Sequence, residues 1–500
     1  MQLNATDLFL NIKQSAVYNS YWKRIENKLT RVEKNEQKDY ISDFFRTYLM
    51  CKQNVFISDA NTYPEFKTLL QQEITLDHNI ENIKLFYNDI LKYLEPYLSI
   101  KFMDIQPELT IFKEQIFSLK FLQIEVITPF IVNIFVDFLE QKLTTDEVSS
   151  SLNLIETYLT RRIICGLDSS GLNKVFAELH KALRSKQSEN LGKTYDDCLS
   201  AWLLEKNKRT VVLPTNAEIT NAIKNLNFYS IKTYNQQFVL AKICDQSKES
   251  ALLHQISDKT QKLSIEHIMP QKLTQIWKKD LGENWELVYN KWLNTLSNLT
   301  LTAYNSEYSN RSFSEKKTMN SGFTQSPFLL NRYVATFNVW NEDSLEKRTL
   351  WLAEQIEKIW RFPTTTLPLS IDNDNNNEEF TPYNWETQAN MKPMLLLIND
   401  DIFEVNKWTD LYQKTLKIIS ENYPEKFTEL INNIDKYDIA GRPLITTDET
   451  IPYRAVEISH GIFIEINLGP QSIMSNLKKI CEYVGFTETN CPISFTVESR

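Results

Sequence analysis

The sequence predicts a mainly α-helical protein with one small strand-strand-helix block and a small C-terminal α/β domain. Three observations predict this fold class. Apolar residues recur at helical spacing through the first 208 residues, only nine glycines occur in 500 residues, and alternating strand patterns appear in few places. A chain of this length exceeds what one hydrophobic core usually organises, so two or three domains are expected.

Several classes of function are disfavoured by composition and motif. No Walker or Rossmann phosphate-binding motif occurs, so a nucleotide site of either kind is not predicted. The six cysteines are scattered without a C-x-x-C pair, which argues against a structural zinc site and indicates a reducing compartment. A net charge of -9 does not favour nucleic acid as a partner, although it leaves room for a locally basic face.

The first 208 residues form the predicted helical segment. Its most apolar stretch, residues 121–139, contains Glu125, Pro129, Asn133 and Asp137, so a buried helical hairpin is predicted there and not a membrane span. No signal peptide is found either, and we therefore expect a soluble, cytoplasmic protein without a membrane partner.

Later segments are separated by turn and linker signals. Thr215 and Glu218 have the spacing of a capping box, which predicts the start of a new helix. Proline, threonine and an asparagine run at residues 363–392 predict a linker. Beyond it, strands are expected at "DIFEVNKW" and "GIFIEINLG", and a helical stripe ends at Gly485.

The stretch "LSIEHIMPQ", residues 263–271, predicts a strand that delivers Glu266 and His267 at its end, and "LSNLTLTAYNSEYSNRSFSEKK" predicts a strand, a turn and a helix. Histidine titrates near neutral pH and suits the base of a phosphodiesterase. Carboxylate and amide oxygens suit Mg²⁺ or Mn²⁺, and Glu266, Asn305 and Asn310 are candidate ligands. Asn298 could instead tie the loop and orient His267. The alternative is an ordinary core or surface histidine with asparagines that cap turns.

Basic residues accompany this block. Residues 261–333 contain nine Lys or Arg and six Asp or Glu, which gives a local charge of +3 in an acidic protein. Arg311, Lys316 and Lys317 follow on the predicted helix, where they could contact DNA phosphates. A solvated helix face is the alternative for these three side chains.

The segments "EHIMPQ", "LSNLTLT", "YN" and "SNRSFSEKK" resemble the C-terminal HNH nuclease domain of GmrS/GmrD-type modification-dependent (type IV) restriction endonucleases. The resemblance extends through "YLTRRIICGLDSSGLNKVFAEL" and "VWNEDSLEKRTLWLAEQIEKIW", and back to "LNATDLFLN", so it covers roughly residues 1–360. It implies a ββα-metal (HNH) nuclease core inside the mainly α chain.

The resemblance also implies roles for individual residues. His267 corresponds to the general base, Glu266 to a metal ligand and Asn298 to the middle asparagine of the HNH set. Asn305 is favoured as the third position, where it would serve both catalysis and metal binding, and Asn310 is the alternative. The implied cofactor is Mg²⁺ or Mn²⁺, and the implied partner is double-stranded DNA, which carries a modification in this family.

One departure from the family concerns its N-terminal, NTP-dependent sensor domain. No D-G-Q-Q-R-like motif of that domain occurs, so we expect that most of it is missing. Either a separate NTP-binding subunit supplies it, or the sequence is an isolated fragment of a longer protein. Residues 1–208 would then be a helical connector, in which Arg161 and Arg162 are the most basic short element or a charge pair on a helix surface. Residues 209–362 would be the HNH nuclease domain. Residues 393–500 would form a small α/β domain for target recognition or docking, or a structural cap.

These inferences predict a divalent-metal-dependent HNH endonuclease that cleaves DNA, either modified or from phage, in a restriction or antiphage defence system. Two alternatives remain open. One is a noncatalytic DNA-binding or assembly subunit of a split restriction complex with an NTPase partner. The other is an RNA-cleaving toxin nuclease, because ββα-metal sites act on several nucleic acids.

Overall fold

The computed structural model of the protein describes most of the chain in two compact units. The described residues are 21–33, 36–74, 80–167, 169, 171–206, 210–245, 251–258, 263–369, 379–385, 391–398, 401–432, 445–450, 452–459, 461–488 and 491–499. Unit 1 holds the described residues up to 165, together with 173–204 and 214–369. Unit 2 holds those of 166–172, 205–213 and 370–500.

The N-terminal part of the chain is helical, as predicted. Its helices are α1 (Lys23–Leu29), α2 (Ile41–Gln53), α3 (Asp59–Ile74), α4 (Ile80–Phe102), α5 (Lys113–Phe121), α6 (Thr128–Leu139), α7 (Thr145–Ile164), α8 (Leu172–Glu189) and α9 (Tyr195–Glu205). A short hairpin, β1 (Thr30–Glu33) and β2 (Glu36–Asp39), follows α1. Amphipathic faces of α2, α3 and α4 share one apolar core with part of α6.

The apolar stretch 121–139 does not form a hairpin by itself. Most of it is the single helix α6, whose side chains are almost all buried. In the part of the chain that the structure describes, no helix combines the length and the apolar character needed to cross a membrane.

Arg161 and Arg162 are not a surface pair, because both side chains are buried in unit 1. Arg161 is fully buried and donates hydrogen bonds to the carbonyls of Pro214 and Trp360, each at 2.8 Å. Arg161 thereby connects the C-terminal end of α7 to Pro214 and to Trp360, which lie near the two ends of the second half of unit 1. Unit 1 thus includes parts of the predicted connector and of the predicted nuclease domain, and the boundary at residue 208 stays a prediction.

The second half of unit 1 carries a two-stranded antiparallel sheet within short helices. Its strands are β3 (Ser264–His267) and β4 (Leu299–Thr302). Its helices are α10 (Asn216–Asn225), α11 (Thr233–Cys244), α12 (Ala251–Ser257), α13 (Gln275–Leu281), α14 (Trp285–Trp292), α15 (Asn305–Tyr308), α16 (Phe313–Thr318), α17 (Leu329–Val334) and α18 (Glu342–Ile359). The capping box predicted at Thr215 and Glu218 is present at the start of α10.

Unit 2 contains two antiparallel sheets and three helices. One sheet has the strand order β5 (Glu379–Phe380), β11 (Ile493–Ser499), β6 (Met391–Ile398) and β7 (Asp401–Glu404). The other has the order β8 (Ile445–Thr446), β10 (Ile462–Glu465) and β9 (Ala455–Ser459). The helices are α19 (Trp408–Asn422), α20 (Pro424–Asn432) and α21 (Pro470–Val484), the last ending at the left-handed Gly485 as predicted.

Two features of unit 2 differ from the sequence-based prediction. All its described strand pairs are antiparallel, which describes an α+β arrangement more closely than an α/β one. Strand β5 lies inside the predicted linker 363–392, because Phe380 pairs with Phe495 of β11 and packs on the core of the unit. Residues 370–378 and 386–390 of that linker lie outside the described residues.

Candidate active site

The candidate site is built on the hairpin of β3 and β4. The strands pair antiparallel, with Ser264 opposite Thr302 and His267 opposite Leu299. Helices α13 and α14 lie between the two strands in the chain, and the short helices α15 and α16 follow β4. Beyond His267 the loop continues into Ile268 and Met269, which belong to a tryptophan-rich core cluster. The strand end that carries His267 is therefore anchored on buried apolar residues.

His267 is 7% exposed and lies between two side chains that the sequence analysis did not single out. Its Nε2 is 3.1 Å from Oδ1 of Asn294. The ring of Tyr229 packs edge-on against the imidazole, with 4.5 Å between ring centroids. Burial lowers the pKa of His267, the charge of Lys316 lowers it further, and the Asn294 hydrogen bond opposes both. A neutral imidazole can accept a proton, as a general base must.

Asn298 is fully buried and ties two loops together. Its Oδ1 accepts hydrogen bonds from the amide of Met269 at 2.8 Å and from the indole of Trp340 at 3.1 Å. Its Nδ2 donates to the carbonyls of Met269 and Leu293, both at 2.9 Å. The two Met269 bonds join the loop after β3 to the turn before β4, and the Trp340 bond joins that turn to the segment after α17. Asn298 thus ties the two loops through backbone groups, and its catalytic role stays a prediction.

Glu266 and Lys316 form a buried ion pair, with 2.5 Å between Oε1 and Nζ. The ammonium also donates to the carbonyls of His267 at 2.9 Å and Ile268 at 3.2 Å. Three acceptors therefore match its three donors. Burial raises the pKa of Glu266 to about 7 and lowers the pKa of Lys316, and the attraction between the two charges opposes both shifts.

The prediction that Lys316 contacts a DNA phosphate is not supported by this arrangement, because its side chain is completely buried. The reason is local. Ser312 and Glu315 form a capping box that starts α16, and Phe313 and Lys316, three residues apart, then share the inward face of the helix. Phe313 packs in the core cluster while Lys316 reaches Glu266.

The remaining predicted residues lie nearer the surface. Asn305 is half-buried and donates from Nδ2 to the carbonyl of Ile265 at 2.9 Å, which fastens the start of α15 to β3. Asn310 and Arg311 are exposed, and Arg311 Nε donates to the carbonyl of Glu307. Lys317 is half-buried and donates to the carbonyl of Phe337 at 2.7 Å. Of the three predicted phosphate contacts, Arg311 is the one on an exposed surface.

The predicted metal ligands have separate contacts in this structure: Glu266 pairs with Lys316, Asn305 bonds to the carbonyl of Ile265, and Asn310 is exposed. Within the described ranges, no group of three or more His, Cys, Asp or Glu side chains could hold a metal ion. One oxygen of Glu266 faces the ammonium of Lys316 at 2.5 Å, so this carboxylate already has a cationic partner. As arranged, Glu266 does not fit a metal ligand, and the half-buried Asn305 and the exposed Asn310 are the predicted ligands that remain.

Three further side chains contact the site without having been predicted from the sequence: Tyr229, Asn294 and Arg348. Arg348 is fully buried and donates to the carbonyls of Ser297 at 3.0 Å and Leu299 at 2.7 Å, on either side of Asn298. Burial lowers its pKa to about 9. The helical periodicity of α18 contained a signal, because Arg348 falls on the same face as the buried Leu345 and Leu352. For Asn294 the signal was its place in the "KWLNTLSNLTLT" stretch.

Comparison with known proteins gives one informative match. Residues 213–355 match the family model described as "GmrSD restriction endonucleases, C-terminal domain". The match includes both strands of the hairpin, Tyr229, Asn294 and Arg348. A search of curated proteins finds no matching protein. The family resemblance seen in the sequence is thereby confirmed, and its extent beyond residues 213–355 stays a prediction. Residues 213–355 of this chain are thus similar to the C-terminal domain of GmrSD restriction endonucleases.

Proposed function

We propose that this chain is an HNH endonuclease that hydrolyses DNA phosphodiester bonds, with His267 as the general base. The observation that carries the proposal is the placement of His267. It ends β3 of the antiparallel β3–β4 pair, inside the segment that matches a restriction endonuclease family, and burial favours its neutral, proton-accepting form. The family name supports DNA as the substrate and restriction as the biological role.

The proposed step is a hydrolysis in which every atom is accounted for. A ring nitrogen of His267 accepts a proton from water while the water oxygen forms a bond to phosphorus. The bond between phosphorus and one ester oxygen breaks, and that oxygen leaves with the electron pair and takes a proton from solvent. His267 then releases its proton to solvent. Exposed Arg311 is the proposed contact for a neighbouring phosphate.

A divalent ion remains part of the proposal as an expectation from the family, because restriction endonucleases generally use such ions. Mg²⁺ and Mn²⁺ are the candidates. Asn305 and Asn310 are the proposed side chains that still present amide oxygens near the surface, since Glu266 is paired with Lys316. Recognition of modified or phage DNA and a separate NTP-binding partner are likewise proposed from the family alone.

The test compares wild type with His267→Ala on a panel of substrates, each with Mg²⁺ and with Mn²⁺. The panel contains unmodified, hydroxymethylated, glucosylated and phosphorothioated DNA, and RNA. His254→Ala is the matched control, because His254 stacks on Phe117 and pairs with Glu114, away from the hairpin. We expect DNA cleavage to be lost in His267→Ala and kept in the control. Full cleavage by a folded His267→Ala protein would overturn the assignment.

A noncatalytic DNA-binding or assembly subunit is the second candidate. The observation that favours it is the Glu266–Lys316 pair, because it withdraws a predicted metal ligand from the site. This reading expects DNA binding without metal-dependent cleavage, with or without an NTPase partner. The same substrate panel, read by a binding assay and by a cleavage assay, separates the two functions. Cleavage of RNA alone would instead indicate a toxin nuclease.

A further inference from the structure

Asn294 lies in a tight turn and contacts the site through two groups. The turn follows α14, where the amide of Thr295 donates to the carbonyl of Trp292 at 3.2 Å and the Thr295 hydroxyl donates to the same oxygen at 2.9 Å. The side-chain Oδ1 of Asn294 is 3.1 Å from Nε2 of His267. Its backbone carbonyl accepts from the amide of Tyr229 at 3.1 Å.

We propose that Asn294 is a positioning residue that fixes the proton of His267 on Nε2 and so leaves Nδ1 as the atom that accepts the proton of water. The proposal rests on the proposed function, in which His267 is the base. A neutral imidazole has one donor nitrogen and one acceptor nitrogen. An amide oxygen can only accept, so the nitrogen that faces it must carry the hydrogen. In the described part of the chain, Nδ1 has no hydrogen-bond partner and keeps its lone pair.

The ring of Tyr229 restricts the orientation of the His267 imidazole, in addition to the tautomer that Asn294 selects. It packs edge-on against the imidazole, with 4.5 Å between ring centroids, while Tyr229 as a residue is 41% exposed. Its backbone is held from both sides: the amide donates to Asn294, and the carbonyl accepts from Gln236 Nε2 at 2.8 Å. Asn294 therefore holds His267 directly by its side chain and indirectly by placing the wall against which the ring rests.

A purely structural role for Asn294 makes a different prediction. If the side chain only fills space, leucine, which has a similar size, should replace it without effect on the proton position of His267. If the oxygen selects the tautomer, leucine should release that selection and aspartate, which retains an acceptor, should preserve it. Asn290 provides a matched control for the leucine change, because it is an exposed asparagine one helical turn earlier on α14.

The experiment reads the tautomer directly by the ¹⁵N shifts of labelled histidine in the full chain, at a pH where the imidazole is neutral. The five histidines of the chain are assigned by substitution, with His267→Ala identifying the relevant signals. We expect wild type, Asn294→Asp and Asn290→Leu to carry the proton on Nε2, and Asn294→Leu to show a mixture. For DNA cleavage we expect Asn294→Leu to lower kcat by at least about tenfold with KM nearly unchanged, as for other groups that orient a catalytic histidine.

Two outcomes overturn the inference. One is a wild-type His267 that carries its proton on Nδ1. The other is an Asn294→Leu protein with the wild-type tautomer and kcat. Both are distinct from failure of the proposed function, which appears as cleavage that survives His267→Ala. The nitrogen shifts report the tautomer whether or not the protein cleaves DNA.

Discussion

Lys316 and Glu266 meet 2.5 Å apart inside the protein, and the same ammonium holds the backbone carbonyl of His267 at 2.9 Å. Because successive side chains of a strand point to opposite faces, Glu266 turns towards α16 while His267 turns towards Tyr229 and Asn294. The neighbours in sequence thus have different surroundings: Glu266 is part of a buried ion pair at the strand end, and the His267 side chain contacts Asn294 and Tyr229.

Removing the cation of this pair should destabilise the protein strongly. Lys316→Met leaves Glu266 buried without its partner and leaves two carbonyls without a donor, so we expect a loss of about 3–5 kcal/mol in the free energy of unfolding. Urea unfolding measures it. The double variant Glu266→Gln/Lys316→Met should recover part of the loss. Lys279→Met, at an exposed position, is the control and should change the free energy of unfolding by less than about 0.5 kcal/mol. If Lys316→Met changed it as little as Lys279→Met does, the buried ion pair would be contradicted.

Asn298 should be required for stability as well as for cleavage. Asn298→Ala removes four hydrogen bonds from a fully buried position and leaves the indole of Trp340 unpaired, which costs roughly 2–4 kcal/mol. Thermal unfolding and DNA cleavage are the measurements, and both should fall. The exposed Asn310 is the control for stability, where Asn310→Ala should stay within about 0.5 kcal/mol of wild type. An unchanged melting temperature in Asn298→Ala would show that these bonds contribute little.

Arg311 should contact DNA directly, whereas Lys316 should not. Arg311→Ala removes an exposed cation beside the candidate site, so DNA affinity should fall and the slope of log affinity against log salt should decrease in magnitude by about 1. A titration at several salt concentrations measures both. Lys174→Ala, an exposed cation on α8, is the control and should leave the slope unchanged. If the two variants behave alike, Arg311 is not a phosphate contact.

Asp137 should make the helical part of unit 1 sensitive to acid. Burial alone would raise its pKa, but hydrogen bonds from His180 and Arg184 hold it well below the ordinary 3.8. A carboxylate with a lowered folded-state pKa stabilises the protein above its unfolded pKa, and this contribution is lost as the pH falls below that value. At neutral pH, Asp137→Asn should therefore cost about 2–3 kcal/mol, as expected for hydrogen bonds to a charged group.

The difference in stability between wild type and Asp137→Asn should shrink as the pH is lowered below about 4, where the unfolded carboxylate becomes protonated. Urea unfolding across a pH series measures this difference. The exposed Asp258 gives the control, and Asp258→Asn should differ little from wild type at every pH. A difference for Asp137→Asn that stays constant with pH would mean that its charge does not contribute.

Local features of this protein follow from the sequence alone. The helical spacing of apolar residues, the capping box at Thr215 and Glu218, and the helix end at Gly485 all depend on a few neighbouring residues, and the structure contains each of them. The strand that ends at His267 was likewise predictable from neighbouring residues. The resemblance to a restriction endonuclease family also rested on short segments, and the match at residues 213–355 agrees with it.

Only the tertiary structure decided which side chains meet at His267. Lys316 joins Glu266 across 50 residues of sequence, and Arg348 reaches the carbonyls around Asn298 from 49 to 51 residues away. Asn294 faces His267 because a turn after α14 places it there. A lysine or arginine on a short helix has the same local pattern whether it faces solvent or the interior. Whether such a side chain faces solvent or the interior depends on the elements packed against that helix and on the hydrogen-bond acceptors they supply. A short stretch of sequence does not contain those elements.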